Sequence, residues 1–196
     1  MSNEHSSGRD GVRDSAGRSP GELAALLAKK SLPPVHLWNP ERCGDSEMRI
    51  AADGTWFHQG SPIGRRELVK LFSTILRREP DGSFVLVTPV EKLDISVDDA
   101  PFVAVEVTSS GEGRERNLVF RLNTDELVAA GPEARLRVET APDGTPRPYV
   151  HVRAGLEALI NRSVFYELAD IALAEGASPP GLWSGGLFFP FMPEAG

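Results

Sequence analysis

The sequence predicts an α+β fold in which one small device is built twice: a β-hairpin over an Asp-Gly turn that runs into an amphipathic helix. Two stretches carry this reading. Met48-Arg49-Ile50-Ala51-Ala52 and Thr55-Trp56-Phe57-His58 flank Asp53-Gly54 and lead through residues 59–64 to a helix from Arg65. Leu136-Arg137-Val138-Glu139-Thr140 and Tyr149-Val150-His151-Val152 flank Asp143-Gly144-Thr145 and lead to a helix at Arg153. Asp-Gly supplies the positive φ angles that a tight hairpin turn demands. Duplicated units of this kind leave a pseudo-symmetric seam between them, and such seams are where small ligands lodge.

In chain order, residues 1–19 are rich in Ser, Gly, Arg and Asp. They have little to bury against the entropy of ordering and are expected to form a disordered tail. Ser19-Pro20-Gly21-Glu22 reads as a helix start, continued by Leu23, Leu26 and Leu27 to Lys30 and stopped by Pro33-Pro34. Residues 32–45 read as a loop anchored by a buried Trp38. After the first hairpin, a helix over 65–78 places Leu68, Leu71, Phe72, Ile75 and Leu76 on one stripe, and Pro80-Asp81-Gly82-Ser83 ends it. Strands are expected over 84–88, 91–97, 103–107, 117–122, 126–128, 135–140 and 146–152. A long helix over 153–175 carries a stripe of Leu156, Leu159, Ile160, Ser163, Val164, Leu168 and Ile171, and the apolar stretch 182–192 packs down. The domain reading is a tail at 1–19, an N-terminal α+β domain at 20–92 and a C-terminal one at 93–196.

Composition narrows the function classes. A chain of 196 residues supports one core or two small ones sharing an interface. The net charge of −7 argues against general nucleic-acid binding, which needs a basic footprint. Cys43 is the single cysteine, so no intrachain disulfide forms and a reducing cytoplasm is the expected setting. No apolar run approaches the roughly 20 residues that span a bilayer, and residues 1–19 lack the apolar core of a secretory signal.

Candidate site residues gather where strands meet helices. Arg65 and Arg66 open the first helix and Arg153 the second, where a cation opposes the macrodipole by roughly 0.3–1 kcal/mol. A bound anion on the free N–H groups removes that conflict; the competing reading turns the guanidiniums away, Arg153 toward Glu157. Trp56 and His58, like Tyr149 and His151, share a strand face. An aromatic plate beside an imidazole orients a flat ring, or else simply packs a sheet. Thr88, Glu91 and Lys92 stand at a Pro-marked junction, either lining a pocket between the halves or solvated. Asn161 and Arg162, with Glu157 and Tyr166, give the last helix a polar side. The histidines are scattered, without metal-ligand spacing. Ser184 lacks the glycine two residues earlier that a hydrolase elbow needs, and no phosphate-binding glycine loop is present. No catalytic residue, metal or cofactor is assigned.

The run Asp53-Gly54-Thr55-Trp56-Phe57-His58-Gln59-Gly60-Ser61-Pro62-Ile63-Gly64-Arg65 resembles the hallmark of a bacterial family known as domain of unknown function 1285. Leu86-Val87-Thr88-Pro89-Val90-Glu91-Lys92, Val97-Asp98-Asp99-Ala100-Pro101-Phe102 and residues 148–166 are similar to it as well. The resemblance implies a duplicated α+β core whose C-terminal half is pleckstrin-homology-like, and a strand run closed by one helix agrees with that order. It also implies a nucleotide-like ligand at the domain interface and a role in signal transduction. The leading expectation is thus a cytoplasmic sensor or adaptor binding a small anionic, nucleotide-like ligand at the seam. The alternative is a protein–protein interaction module with no small ligand.

Overall fold

Four three-stranded antiparallel meanders, joined in pairs, make two six-stranded sheets. The computed structural model describes residues 32–192. In the first sheet, β1 (Arg42–Ile50), β2 (Trp56–His58) and β3 (Ser61–Pro62) form one meander. The helix α1 (Arg66–Thr74) leads to the other, β4 (Leu76–Arg78), β5 (Phe84–Val87) and β6 (Lys92–Val97). In the second sheet, β7 (Phe102–Ser110), β8 (Asn117–Leu122) and β9 (Leu127–Ala129) are followed by β10 (Leu136–Thr140), β11 (Pro146–Arg153) and β12 (Leu156–Ile160). Then come α2 (Arg162–Glu175) and a closing hairpin, β13 (Gly181–Ser184) and β14 (Leu187–Pro190). The orders β3-β2-β1-β6-β5-β4 and β10-β11-β12-β7-β8-β9 are the same plan, with each sheet's first strand beside its sixth. That central pair is parallel in both: Ile50 opposite Val97, Phe102 opposite Ala158.

The duplication therefore resides in the sheets, and the two Asp-Gly hairpins occupy different places within it. The first belongs to the opening meander of its sheet, the second to the closing meander of the other. The helix expected over 65–78 stops at Thr74, because Leu76 leaves it to pair with Leu86. The helix expected from Arg153 begins only at Arg162. Ala154 and Gly155 take φ of 45° and 76° and turn the chain back into β12. Apolar residues at 156, 159 and 160 have helical spacing, yet burial alternates along 156–160 as a strand requires. The strand over 92–97 completes the first sheet, so the passage between sheets lies after Val97 and not at residue 92. Trp38 is half-buried, and its own backbone carbonyl accepts from Arg77 Nη1 at 2.6 Å. The expected tail and the helix to Lys30 lie outside the described residues.

One apolar cluster runs through both sheets. It joins Ile50, Trp56 and Leu76 of the first to Phe102, Phe120, Leu122 and Leu156 of the second, with Leu168 of α2 and Leu182 of β13. α2 sinks Val164, Leu168 and Ala172 into it. α1 buries only Ser73, holds Leu68, Val69, Phe72 and Ile75 half-buried nearby, and leaves Leu71 exposed. The expected stripe residue Ser163 is also exposed, and Ile171 is half-buried.

Candidate functional site

Two turns meet at the boundary between the halves. The β1–β2 turn holds Gly54 at φ 83°, and the β8–β9 turn lays Asn123 against it. Asn123 Nδ2 donates to Gly54 O at 3.2 Å, its Oδ1 accepts from Val103 N at 3.1 Å, and its N–H bonds Val103 O at 2.8 Å. A side chain at position 54 would collide there: an added Cβ would lie 2.6 Å from Asn123 Nδ2.

Between these turns and α1 lies a cleft of about 300 Å³ lined by Thr55, Trp56, Arg66, Lys70, Asn123 and Thr124, among others. Trp56 is 1% exposed, its ring stacked on Phe72 with centroids 6.3 Å apart, so almost none of the indole is open to the cleft. Trp56 Nε1 and Thr124 Oγ1 are buried with no hydrogen-bond partner in the protein. Among the described residues only one other buried side-chain polar atom, Arg116 Nε, shares that condition. Leaving such a group unpaired costs about 1–3 kcal/mol, and the Trp56 and Thr124 atoms both belong to residues that line the cleft.

The cleft is cationic on its α1 side. Lys70 Nζ lies 2.9 Å from Asp125 Oδ2, and Arg66 Nη2 lies 3.3 Å from both carboxylate oxygens. The hydrogen bond from Lys70 holds the Asp125 carboxyl below its ordinary range, and Asp125 and Glu67 together raise Lys70. Asp53 stands on the opposite lip, its carboxylate accepting from Thr55 N at 2.9 Å. The N-terminus of α1 has no side-chain cap, since Arg65 occupies the N-cap position.

The structure separates the residues singled out from sequence. Trp56 lines the cleft; His58 is exposed at the far end of β2. Arg65 is exposed; its carbonyl accepts from Leu68 N and Val69 N at 3.0 and 3.2 Å, while its side chain forms no hydrogen bond or ion pair among the described residues. Thr88 and Glu91 close the β5–β6 turn on each other, the Thr88 hydroxyl accepting from Glu91 N at 3.1 Å, and Lys92 pairs with Glu79 at 3.4 Å. None of these three lines the seam cleft. Tyr149 donates to Asp99 Oδ1 at 2.8 Å beneath the Arg137 guanidinium. His151 Nε2 accepts from Gly155 N at 3.2 Å, which leaves Nδ1 to donate to Glu133 O at 3.0 Å, fixing the β11–β12 turn.

Arg153 does reach the seam, at the opposite pole from the one expected. It grips Glu126 through two 2.6 Å contacts and donates to Ser73 O at 2.9 Å. A cation on the last-turn carbonyls of α1 is favourable, so the anticipated conflict with a helix N-terminus does not arise. Glu157, its expected partner, instead takes Arg137 at 2.6 Å. Asn161 is the N-cap of α2, its Oδ1 accepting from Val164 N at 2.9 Å. Arg162, exposed, lines a second groove of about 380 Å³ with Phe165 and Tyr166. The Ser184 hydroxyl is spent on Ala130 O at 2.7 Å and Leu118 N at 2.9 Å.

Sequence reading missed Lys70, Asn123, Thr124 and Asp125. The signal that existed was the polar run Asn123-Thr124-Asp125-Glu126 between two strands, a turn composition richer in hydrogen-bonding groups than a connection needs. Among the described residues no group of three or more His, Cys, Asp or Glu could hold a metal ion. No helix among them is long and apolar enough to cross a membrane.

Comparison with known proteins agrees with this layout. Residues 33–100 match the family model described as Domain of unknown function (DUF1285), N-terminal domain, and residues 101–191 match Protein of unknown function (DUF1285), C-terminal domain. No curated protein matches. A DUF1285 family protein from Silicibacter pomeroyi DSS-3 is 53% identical, with a TM-score of 0.77 over 88% of this chain and 95% of that one. Another from Shewanella baltica OS155 is 24% identical, with a TM-score of 0.48 over 63% of this chain and 90% of that one. The chain belongs to the DUF1285 family.

Proposed function

We propose that the protein is a sensor or adaptor whose ligand site is the cleft between its halves, and that the ligand is a small anion of at most mononucleotide size. The observation that carries this reading is the pair of buried, unpartnered polar atoms, Trp56 Nε1 and Thr124 Oγ1, on one cleft beside Arg66 and Lys70. Both halves line the cleft, so occupancy changes how firmly they are joined, as signal transduction requires. A volume of about 300 Å³ sits at the small end of ligand pockets and suits a phosphorylated metabolite or nucleotide. The base of a nucleotide finds no free face on Trp56, so the cleft favours its charged end.

The test is thermal unfolding of the full chain against inorganic phosphate, AMP and GMP. Binding at 100 times Kd adds about 2.7 kcal/mol. Thr124→Val and Arg66→Gln are expected to reduce the shift, and its absence for every anion at millimolar concentration refutes the reading. A second reading, an interaction module of pleckstrin-homology-like order, draws on the groove beside α2. There Phe165, Leu159 and the 59% exposed Tyr166 make an apolar concavity. It predicts no thermal shift with any of these anions.

A further inference from the structure

The cations of the seam already hold a carboxylate, and it comes from the same turn that carries the buried Thr124 hydroxyl. We propose that Asp125 is an internal anion mimic: it holds Arg66 and Lys70 when no ligand is bound, and an entering phosphate or carboxylate displaces it. The inference rests on the reading of the cleft as a ligand site and adds a regulatory step to it.

Three observations support an exchangeable contact. Arg66 reaches both Asp125 oxygens only at 3.3 Å and its side chain is 69% exposed, where a close charge-assisted bond runs about 2.7–2.9 Å. Arg121, the third cation on Asp125 at 3.3 Å, is held independently by Glu106 Oε2 at 2.8 and 2.6 Å, so it stays in place when Asp125 leaves. Lys70 keeps Glu67 at 3.1 Å as a second partner. An anion held at Thr124 sits on the residue next to Asp125 in the β8–β9 turn, and like charges that close repel. The acid that lines the cleft, Asp53, is tied to Thr55 N. Displacing Asp125 therefore releases a bond between the β8–β9 turn of one half and α1 of the other.

Asp125 has φ 64°, which Asn adopts readily and Gly without strain, so Asp125→Asn and Asp125→Gly both preserve the turn. Isothermal titration of the full chain with inorganic phosphate and with AMP compares wild type, both variants and Asp125→Asn combined with Arg66→Gln. The expected result is at least five-fold tighter binding in both single variants, with the gain erased in the double variant. Tightening toward AMP but not phosphate assigns the ligand to nucleotides, and tightening toward both assigns it to the phosphate group; either supports the displacement. Wild-type binding that is unchanged or weakened by the Asp125 substitutions overturns the displacement while leaving the site. No binding by any form overturns the site, and the displacement with it.

Discussion

The two sheets share one strand order, yet each uses its helix differently. α2 follows the second sheet and seats Val164, Leu168 and Ala172 in the core, with an Asn161 cap and Gly176 at φ 64° closing its end. α1 joins the two meanders of the first sheet, has no side-chain cap, and buries only Ser73. What α1 presents instead is a row of polar side chains, Arg66 and Lys70, to a turn of the other half. α2 sinks side chains into the core, whereas α1 packs Val69 and Phe72 against its edge and turns Arg66 and Lys70 to the seam, so equal topology does not mean equal use.

That contrast can be tested first on the cores. Leu168→Ala is expected to cost about 2–5 kcal/mol in urea unfolding, since the side chain is 1% exposed in a continuous cluster. Val69→Ala, half-buried on α1, is expected to cost under about 1.5 kcal/mol. Equal losses would mean that α1 is as much a core element as α2.

The two Asp-Gly turns sharpen the comparison at smaller cost. Gly54 and Gly144 have φ of 83° and 82°, so Ala at either carries a similar backbone strain of about 1–2 kcal/mol. At Gly144 an added Cβ meets nothing within 4 Å, whereas at Gly54 it strikes Asn123. Gly54→Ala should therefore lose roughly 1–3 kcal/mol more than Gly144→Ala in the same denaturation experiment. Indistinguishable variants would sink the idea that the first turn docks the halves.

The smallest effect concerns pH. Lys70 lowers the folded-state pKa of Asp125 below its unfolded value. Its contribution is therefore fully present above the unfolded pKa of about 3.9 and fades as pH falls through the lower folded value. The stability gap between wild type and Asp125→Asn is expected to hold from neutral pH to about 5 and to narrow below about 4. A gap that widens on acidification contradicts the pairing.

Much of this was legible in the chain. Asp53-Gly54 and Asp143-Gly144 announced both hairpins, and the apolar spacing located α1 to within its last turn. The strands over 84–87, 92–97 and 117–122 follow from β-branched and apolar runs bounded by turn residues. Helix and strand are confused at Leu156–Ile160 because so short a segment, apolar at 156, 158, 159 and 160, fits either period, and Ala at a positive φ gives no turn signal. Of the residues singled out from sequence, Trp56 and Arg66 line the cleft, while Thr88 and Glu91 close a turn on each other, Lys92 pairs with Glu79 and Asn161 caps α2.

Sequence by itself determined the local devices: which segments turn, which alternate, which carry an amphipathic stripe. Those follow from φ preferences and side-chain period, which act over a few neighbours. Only the tertiary structure decided that β1 lies parallel to β6 and β7 to β12, and that a turn at Asn123 meets a turn at Gly54. It also decided that Arg153 reaches the C-terminal end of α1 rather than opening a helix. Such meetings depend on how apolar faces from distant segments combine into one core, and no local pattern in the chain encodes that choice.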